Sequence, residues 1–314
     1  MSQSLNEQAL QYIAPDFEGS IGEVQTRLAN DATVIDLGVS ARGSLAGGEL
    51  LSHVCMAGCG QVSIVPGSAF RPDWPTVQVK TDQPVAACLQ SQYAGWKISV
   101  GDYFAMGSGP MRAAAASEEL FEKLPVDESA DRVIGVLETG QLPGADVAAY
   151  IADRCGVETS GVTLLVAPTA SLAGTMQVVA RSVETSLHKL FELNFDVNRI
   201  RYGFGTAPLP PVAKDDLSGI GRTNDAILYG GQVTLWVTGD DESLEEIGPR
   251  VPASAADSYG KPFLDIFREA DHDFYKIDPL LFSPGEVVFH NIETGRAFRF
   301  GQVEPAILSQ SFGV

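Results

Sequence analysis

One stretch of this chain sets four polar residues at helical spacing, three of them able to move protons or hold charge: Gln177, Arg181, Glu184 and His188. On a helix they form one stripe, opposite a second stripe of Met176, Val179, Val183, Leu187 and Leu190 that suits a core. Arg181 and Glu184, three positions apart, are neighbours on their face. A carboxylate beside a guanidinium is kept ionised and aimed, which is what a general base for water needs. The same pattern fits a solvated face with a surface ion pair. Chain pattern alone leaves both readings open.

Other chemistry-bearing residues give weaker signals. His53, Cys55 and Cys59 lie close together and Cys88 follows later. Structural zinc sites pair cysteines at short spacing with a second matching pair, and no second pair follows here. The simpler reading is thiols that pack in a core, with a zinc hydrolase using His53, Cys55 and Cys59 as the sharper one. Residues 105–110 (AMGSGP) are glycine-rich but lack the Gly-Lys-Ser/Thr ending of a P-loop, and Pro110 removes an amide donor that a phosphate cradle needs. A nicotinamide or nucleotide cofactor is therefore not expected. The segment reads as a turn or as a backbone wall against a flat ligand.

The elements that must position these groups alternate in type. Ser4 and Glu7 have capping-box spacing ahead of Leu5, Ala9 and Ile13, predicting a short first helix. Strand-like runs at 33–39, 61–65, 77–80, 97–100, 132–137 and 162–167 alternate with helix candidates at 45–56, 85–92 and 145–154, and a long helix is predicted over 172–193. Later, 226–229 and 232–237 flank Gly230-Gly231, a hairpin or sharp corner, and 286–290 and 297–300 flank a second hairpin signal at residues 293–295. Residues 240–262 read as a surface excursion. Mixed pieces of this kind favour an α+β fold with mixed α/β layers. A break near residues 124–127 suggests two lobes, 1–125 and 126–314, with room for discontinuity.

Composition bounds the partners. The chain has 314 residues, 45% of them apolar and 19% charged, and 40 acidic against 21 basic side chains give a net charge of −19. Nucleic acid is not an expected partner, since phosphate binding needs clustered Lys and Arg. The charge reads as solubility, or as a negative field that draws in a cationic substrate. No apolar run approaches the ~20 residues that span a bilayer. Residues 1–7 lack the basic start and apolar core of a signal peptide, and four cysteines make no disulfide framework. A cytoplasmic protein is expected.

Seven stretches, in order along the chain, resemble the methenyltetrahydromethanopterin cyclohydrolases: 54–58 (VCMAG), 94–101 (AGWKISVG), 103–110 (YFAMGSGP), 166–172 (VAPTASL), 181–184 (RSVE), 223–227 (TNDAI) and 282–285 (FSPG). The resemblance implies a two-lobed α/β protein with a pocket between the lobes. It implies reversible hydrolysis of 5,10-methenyltetrahydromethanopterin to the 5-formyl form, and commonly a homotrimer. It also implies no cofactor or metal, tetrahydromethanopterin being the one-carbon carrier and substrate.

The family's catalytic Arg-x-x-Glu falls on Arg181 and Glu184, which makes Glu184 the base and then the acid, with Arg181 its orienter. Gln90, Trp96, Ser108 and Asn224 follow as pterin-contacting candidates, with Asp225 for the guanidine-like edge of the ring. Arg199, Arg201 and Arg222 are the nearest cations for a phosphate-bearing tail, and an unphosphorylated methanopterin of the methylotrophic type fits the acidic chain. The competing readings are a methenyltetrahydrofolate cyclohydrolase and a non-catalytic pterin-binding protein.

Overall fold

The computed structural model describes residues 4–13 and 19–314. In chain order they form α1 (Leu5–Leu10), β1 (Val24–Arg27), β2 (Thr33–Asp36), α2 (Leu45–Cys55), β3 (Gly60–Val65) and β4 (Thr76–Thr81). A π-helix over Val85–Gln92 leads to β5 (Trp96–Val100), β6 (Tyr103–Ser108), α3 (Met111–Ala115), α4 (Leu120–Lys123), β7 (Val133–Glu138), α5 (Ala145–Cys155), β8 (Val162–Ala167) and α6 (Leu172–Val179). Then come α7 (Ser182–Glu192), β9 (Ile200–Pro208), α8 (Asp216–Leu228), β10 (Gln232–Val237), α9 (Asp241–Ile247), α10 (Phe263–Glu269), β11 (Glu286–Asn291), β12 (Ala297–Gly301) and α11 (Pro305–Phe312). The mixture is the α+β class that the alternating patterns predict.

The chain folds into two compact units that share it alternately: residues 1–60 with 86–177, and residues 61–85 with 178–314. Residues 124–127 fall inside the first unit.

The first unit holds a six-stranded sheet in the order β1-β2-β8-β7-β6-β5. Its centre, β2, β8 and β7, is parallel, with antiparallel strands on both sides. Parallel strands covered on two faces read as continuous apolar runs, and β7 (VIGVLE) and β8 (VTLLVA) are buried almost throughout. One face packs Val34, Ile98, Leu137 and Leu164 against Val147, Ala148, Ile151 and Ala152 of α5. The other packs Ile35, Val136, Leu165 and Ala167 against Leu51, Val54 and Cys55 of α2.

Helix α1 begins as its sequence predicts, with the Glu7 amide donating to Ser4 Oγ at 3.2 Å. Buried Asn6 is satisfied on both ends, donating to the Pro110 carbonyl at 2.9 Å and accepting from the Ile134 amide at 2.9 Å. A buried polar side chain with full pairing fixes one arrangement.

The second unit holds a sheet in the order β12-β11-β10-β9-β4-β3. Only the β10–β11 pair among its registered neighbours is parallel; β11–β12 is the predicted hairpin. Helix α7 packs on β4, β9 and β10, and α8 packs on β9, α10 and α11.

Two local expectations change, and a third is decided in favour of one of its two readings. The helix predicted over 172–193 is two helices separated by a turn at Ala180 and Arg181. Gly230-Gly231 is the corner between α8 and β10, the Gly231 amide donating to the Ile227 carbonyl at 2.9 Å. Residues 240–262 are more than a surface excursion, because α9 and two short 3-10 turns bury Leu244, Val251 and Ala253 among the acidic residues.

Candidate active site

The turn between α6 and α7 decides how Arg181 is presented. Its φ of −89° and ψ of 10° lie in the bridge region, where turn ends and many active-site residues are found. Its amide donates to the Val178 carbonyl at 3.1 Å, and its carbonyl accepts from the Thr185 amide at 2.9 Å, opening α7. Glu184 follows in the first turn of α7, where the helix dipole favours a carboxylate.

Tertiary contact sets this start, because nothing in the local sequence breaks the helix. Ser182 and Val183 sit against β9 so closely that a Cβ on Gly205 would come within 2.5 Å of Ser182 Oγ, and one on Gly203 within 2.7 Å of Val183. The Ser182 hydroxyl is itself sealed in, with no hydrogen-bond partner among the described residues.

Burial answers the question the sequence left open about this face. Arg181 is 6% exposed and Glu184 4%, so they do not form a solvated surface. Gln177 is also buried; His188 is half-buried, 3.6 Å from Glu192 on the next turn. Met176, Val179, Val183, Leu187 and Leu190 are fully buried on the expected core stripe. Taking a carboxylate and a guanidinium out of water costs several kcal/mol per ion before pairing repays it. Burial of both within one turn suits a chemical task better than a surface ion pair.

The first unit carries Gln90, Trp96 and Ser108. Gln90 lies in the π-helix, half-buried, its amide reaching the Pro125 carbonyl at 3.3 Å. Trp96 opens β5 inside the core, its ring 6.2 Å from that of Tyr150. Ser108 ends β6, fully buried, its hydroxyl 3.3 Å from Cys55 Sγ, to which Gln177 Nε2 also donates at 3.4 Å. Gly109 turns the chain with φ +92°, its amide donating to the Ser91 carbonyl at 2.9 Å; a Cβ there would approach the Gly135 backbone to 3.4 Å.

Arg112, unmarked by any motif, ties these pieces together. Wholly buried, it donates to the carbonyls of Leu89 and Ser91 at 3.1 Å each and grips Glu118 through two hydrogen bonds of 2.8 and 2.6 Å. The rings of Tyr93 and Phe121 flank its guanidinium at 5.1 and 5.4 Å. A π-helix makes few good internal bonds and is often kept for function; here Arg112 holds its last turn.

The second unit carries Asn224 and Asp225 on α8. Asn224 Nδ2 bonds back to the Ile220 carbonyl at 2.8 Å. Asp225 is fully buried, and one of its oxygens accepts from the Phe263 amide at 2.8 Å, capping α10. Burial pushes its carboxyl up to about 7, against the opposing pull of the Ser311 hydroxyl and the Phe263 amide. Lys189 on α7 is pushed down to about 8, chiefly by burial, while its ammonium donates to the Leu280 carbonyl.

Of the cations named for a phosphate tail, Arg199 is engaged with the Thr238 carbonyl at 2.7 Å, the Ser243 hydroxyl at 2.9 Å and the Phe195 ring. Arg222 donates to the Pro211 carbonyl at 3.1 Å, and Arg201 is exposed.

The soft ligands point elsewhere than to one another. Cys55 faces Ser108 and Gln177, Cys59 faces Gln8 Oε1 at 3.6 Å, and the His53 ring leans on Tyr12 at 5.2 Å. Burial raises the Cys59 thiol to about 11 and lowers His53. Among the described residues no three His, Cys, Asp or Glu side chains converge as metal donors, and no helix is long and apolar enough to cross a membrane.

Comparison with known proteins gives this arrangement a family. The chain is 47% identical over 288 residues to the methenyltetrahydromethanopterin cyclohydrolase of Rhodopirellula baltica, covering 90% of this chain and 86% of that one. It is 45% identical over 295 residues to the protein of the same name from Methanobrevibacter smithii, covering 92% and 91%. With that of Methanocaldococcus jannaschii it shares 41% over 317 residues, 99% and 98% of the two chains. The family model described as Cyclohydrolase (MCH) matches residues 4–312. A match of that extent, with relatives at these identities over nearly their whole length, means that the chain belongs to the MCH cyclohydrolase family.

Proposed function

We propose that the protein hydrolyses 5,10-methenyltetrahydromethanopterin reversibly to 5-formyltetrahydromethanopterin, with Glu184 as the proton-transfer group and Arg181 as its orienter. The relatives bearing that name support the reaction. The observation that carries the residue assignment is the burial of Arg181 and Glu184 on a single turn at the start of α7.

The methenyl carbon is part of an amidinium cation and is already electrophilic. Glu184 orients a water and accepts its proton as the oxygen bonds to that carbon. It returns the proton to the departing nitrogen as the carbon–nitrogen bond breaks, and the remaining hydroxyl proton leaves as the formyl carbonyl forms. Cation and water thus become formyl product and one proton. Assistance of this kind contributes on the order of 10²–10⁴-fold. Arg181 holds the carboxylate ionised and aimed.

In this reading Gln90, Ser108 and Asn224 offer hydrogen bonds to the pterin and Trp96 a flat surface, while Asp225, buried against the Phe263 amide, acts through α8 and α10 rather than on the ring. The reaction takes no further cofactor, and the active particle is a homo-oligomer, a trimer, in the cytoplasm.

The test is the decay of the methenyl chromophore's near-ultraviolet absorbance, with the methanopterin and the folate substrate in parallel. The expected result is fast decay with methenyltetrahydromethanopterin alone, reduced at least a hundredfold in Glu184→Gln. Fast decay with the folate instead would replace the substrate assignment. Wild-type decay at the spontaneous rate would leave a pterin-binding protein.

A further inference from the structure

In open sheets with parallel strands, ligands gather outside the carboxyl ends where successive connections leave on opposite faces. In the first unit β7 is followed by α5 on one face, and β8 by α6, whose Ala173 packs on the other. The carboxyl ends of β7 and β8 therefore mark such a point, and each of the three parallel strands puts a different group there.

Asp36, ending β2, is consumed: its two oxygens accept from the amides of Gly38, Val39, Ser40 and Ala41 at 2.7–3.0 Å, which shapes a turn. Ala167, ending β8, is small and apolar. Glu138, ending β7, is half-buried. One of its oxygens accepts from the Thr169 hydroxyl at 2.5 Å. Thr169 is itself buried and fixed, its carbonyl accepting from the Thr175 hydroxyl at 2.9 Å. The other oxygen of Glu138 takes no hydrogen bond among the described residues that the fold requires.

Register places this carboxylate among suitable neighbours. Glu138 lies opposite Met106 on β6 and Ala167 on β8, and Val136, two residues earlier on the same face, lies opposite Ser108. Paired residues share a face of the sheet. Glu138 thus stands one step beyond the buried Ser108, between a methyl and a thioether, with half-exposed Phe104 further along β6. A carboxylate aimed by a fixed hydroxyl beside apolar, flat-faced neighbours is built to accept two adjacent N–H donors from a planar ring.

We propose that Glu138 is a substrate-contacting residue that accepts the N3–H and 2-amino hydrogens of the pterin, Thr169 setting the angle of its carboxylate. This rests on the pterin-hydrolase reading and adds to it a determinant of ring specificity. The ring edge it reads is a guanidine-like donor pair, of which a 2,4-dioxo ring keeps the N3–H and replaces the amino group with a carbonyl. Glu138→Gln exchanges one acceptor for a donor and so inverts the match.

The experiment compares wild type, Glu138→Gln and Thr169→Val in two assays on the purified full chain. One is methenyl-substrate hydrolysis, and the other is calorimetric binding of pterin and of its 2,4-dioxo counterpart, lumazine. The expected result is a wild type that prefers pterin at least tenfold and a Glu138→Gln protein that loses or reverses that preference. In the kinetic assay its KM rises at least tenfold, more than its kcat changes. Thr169→Val moves both readouts the same way by a smaller factor, and serves alone if Glu138→Gln does not fold.

An active wild type whose variants keep the pterin preference overturns the assignment of Glu138. An inactive wild type that still prefers pterin, with the preference lost in Glu138→Gln, removes the hydrolase reading and sustains the contact. A wild type that neither hydrolyses nor discriminates overturns both.

Discussion

Asp225 shows how a single residue can tune the molecule's response to pH. Its carboxyl sits inside the second unit, held by the Phe263 amide, with burial raising it to about 7. A raised carboxyl favours the folded state while protonated, and that advantage is lost as pH rises from the unfolded value near 4 through 7. Asp225→Asn keeps an acceptor for Phe263 and removes the titration. In urea unfolding, wild type is expected to lose stability between pH 4 and pH 7 relative to the variant, by at most roughly 4 kcal/mol for a shift of three units. Parallel stability curves for the two proteins would show that the group does not titrate in that window.

At the scale of elements, the seat of α7 on β9 is the feature on which Arg181 and Glu184 depend. Gly205 leaves no room for a side chain there, its nearest neighbours being Ser182 Oγ at 2.5 Å and Val183 at 2.8 Å from an added Cβ. Overpacking of this kind costs about 1–3 kcal/mol. Gly205→Ala is therefore expected to lower the urea midpoint and to depress kcat more than it raises KM, because the helix bearing the pair must shift. Unchanged stability would show that the contact is loose.

This seat also explains what the sequence could and could not reveal. Strands and helices such as β8 and α5 were legible because their apolar residues repeat within a dozen positions. The break at Ala180 and Arg181 was not, since the core stripe from Met176 to Leu190 runs through it unbroken while the close seat against residues 203 and 205 is a tertiary contact. Arg181 and Glu184 could be singled out by spacing and resemblance, yet their burial is a tertiary property. Arg112, Glu138 and Asn6 escaped notice for the same reason: each acts through partners brought near by folding, 21 to 23 residues away for the carbonyls that Arg112 holds, 31 for Thr169 and 128 for Ile134.

At the scale of the whole molecule, the two units alternate along the chain, so neither is a continuous stretch. The acidic charge of −19 spreads over both and favours dispersion in water. The second sheet joins β4 to β9, residues 76–81 to residues 200–208. A ribosome makes β4 long before its partner. At 5–20 residues per second, the wait for the end of β9 is on the order of ten seconds. Throughout it Val77 and Val79, wholly enclosed in the finished protein, lack the β9 and α7 that later pack beside them. Nascent chains halted at residue 177 are expected to be cut by protease within residues 61–85, and released full-length chains to resist there. Equal resistance in both would mean that this segment finds shelter early. The interleaving thus gives birth order a cost: β3 and β4 emerge without the rest of their sheet, and their safety until β9 arrives falls to whatever attends the growing chain.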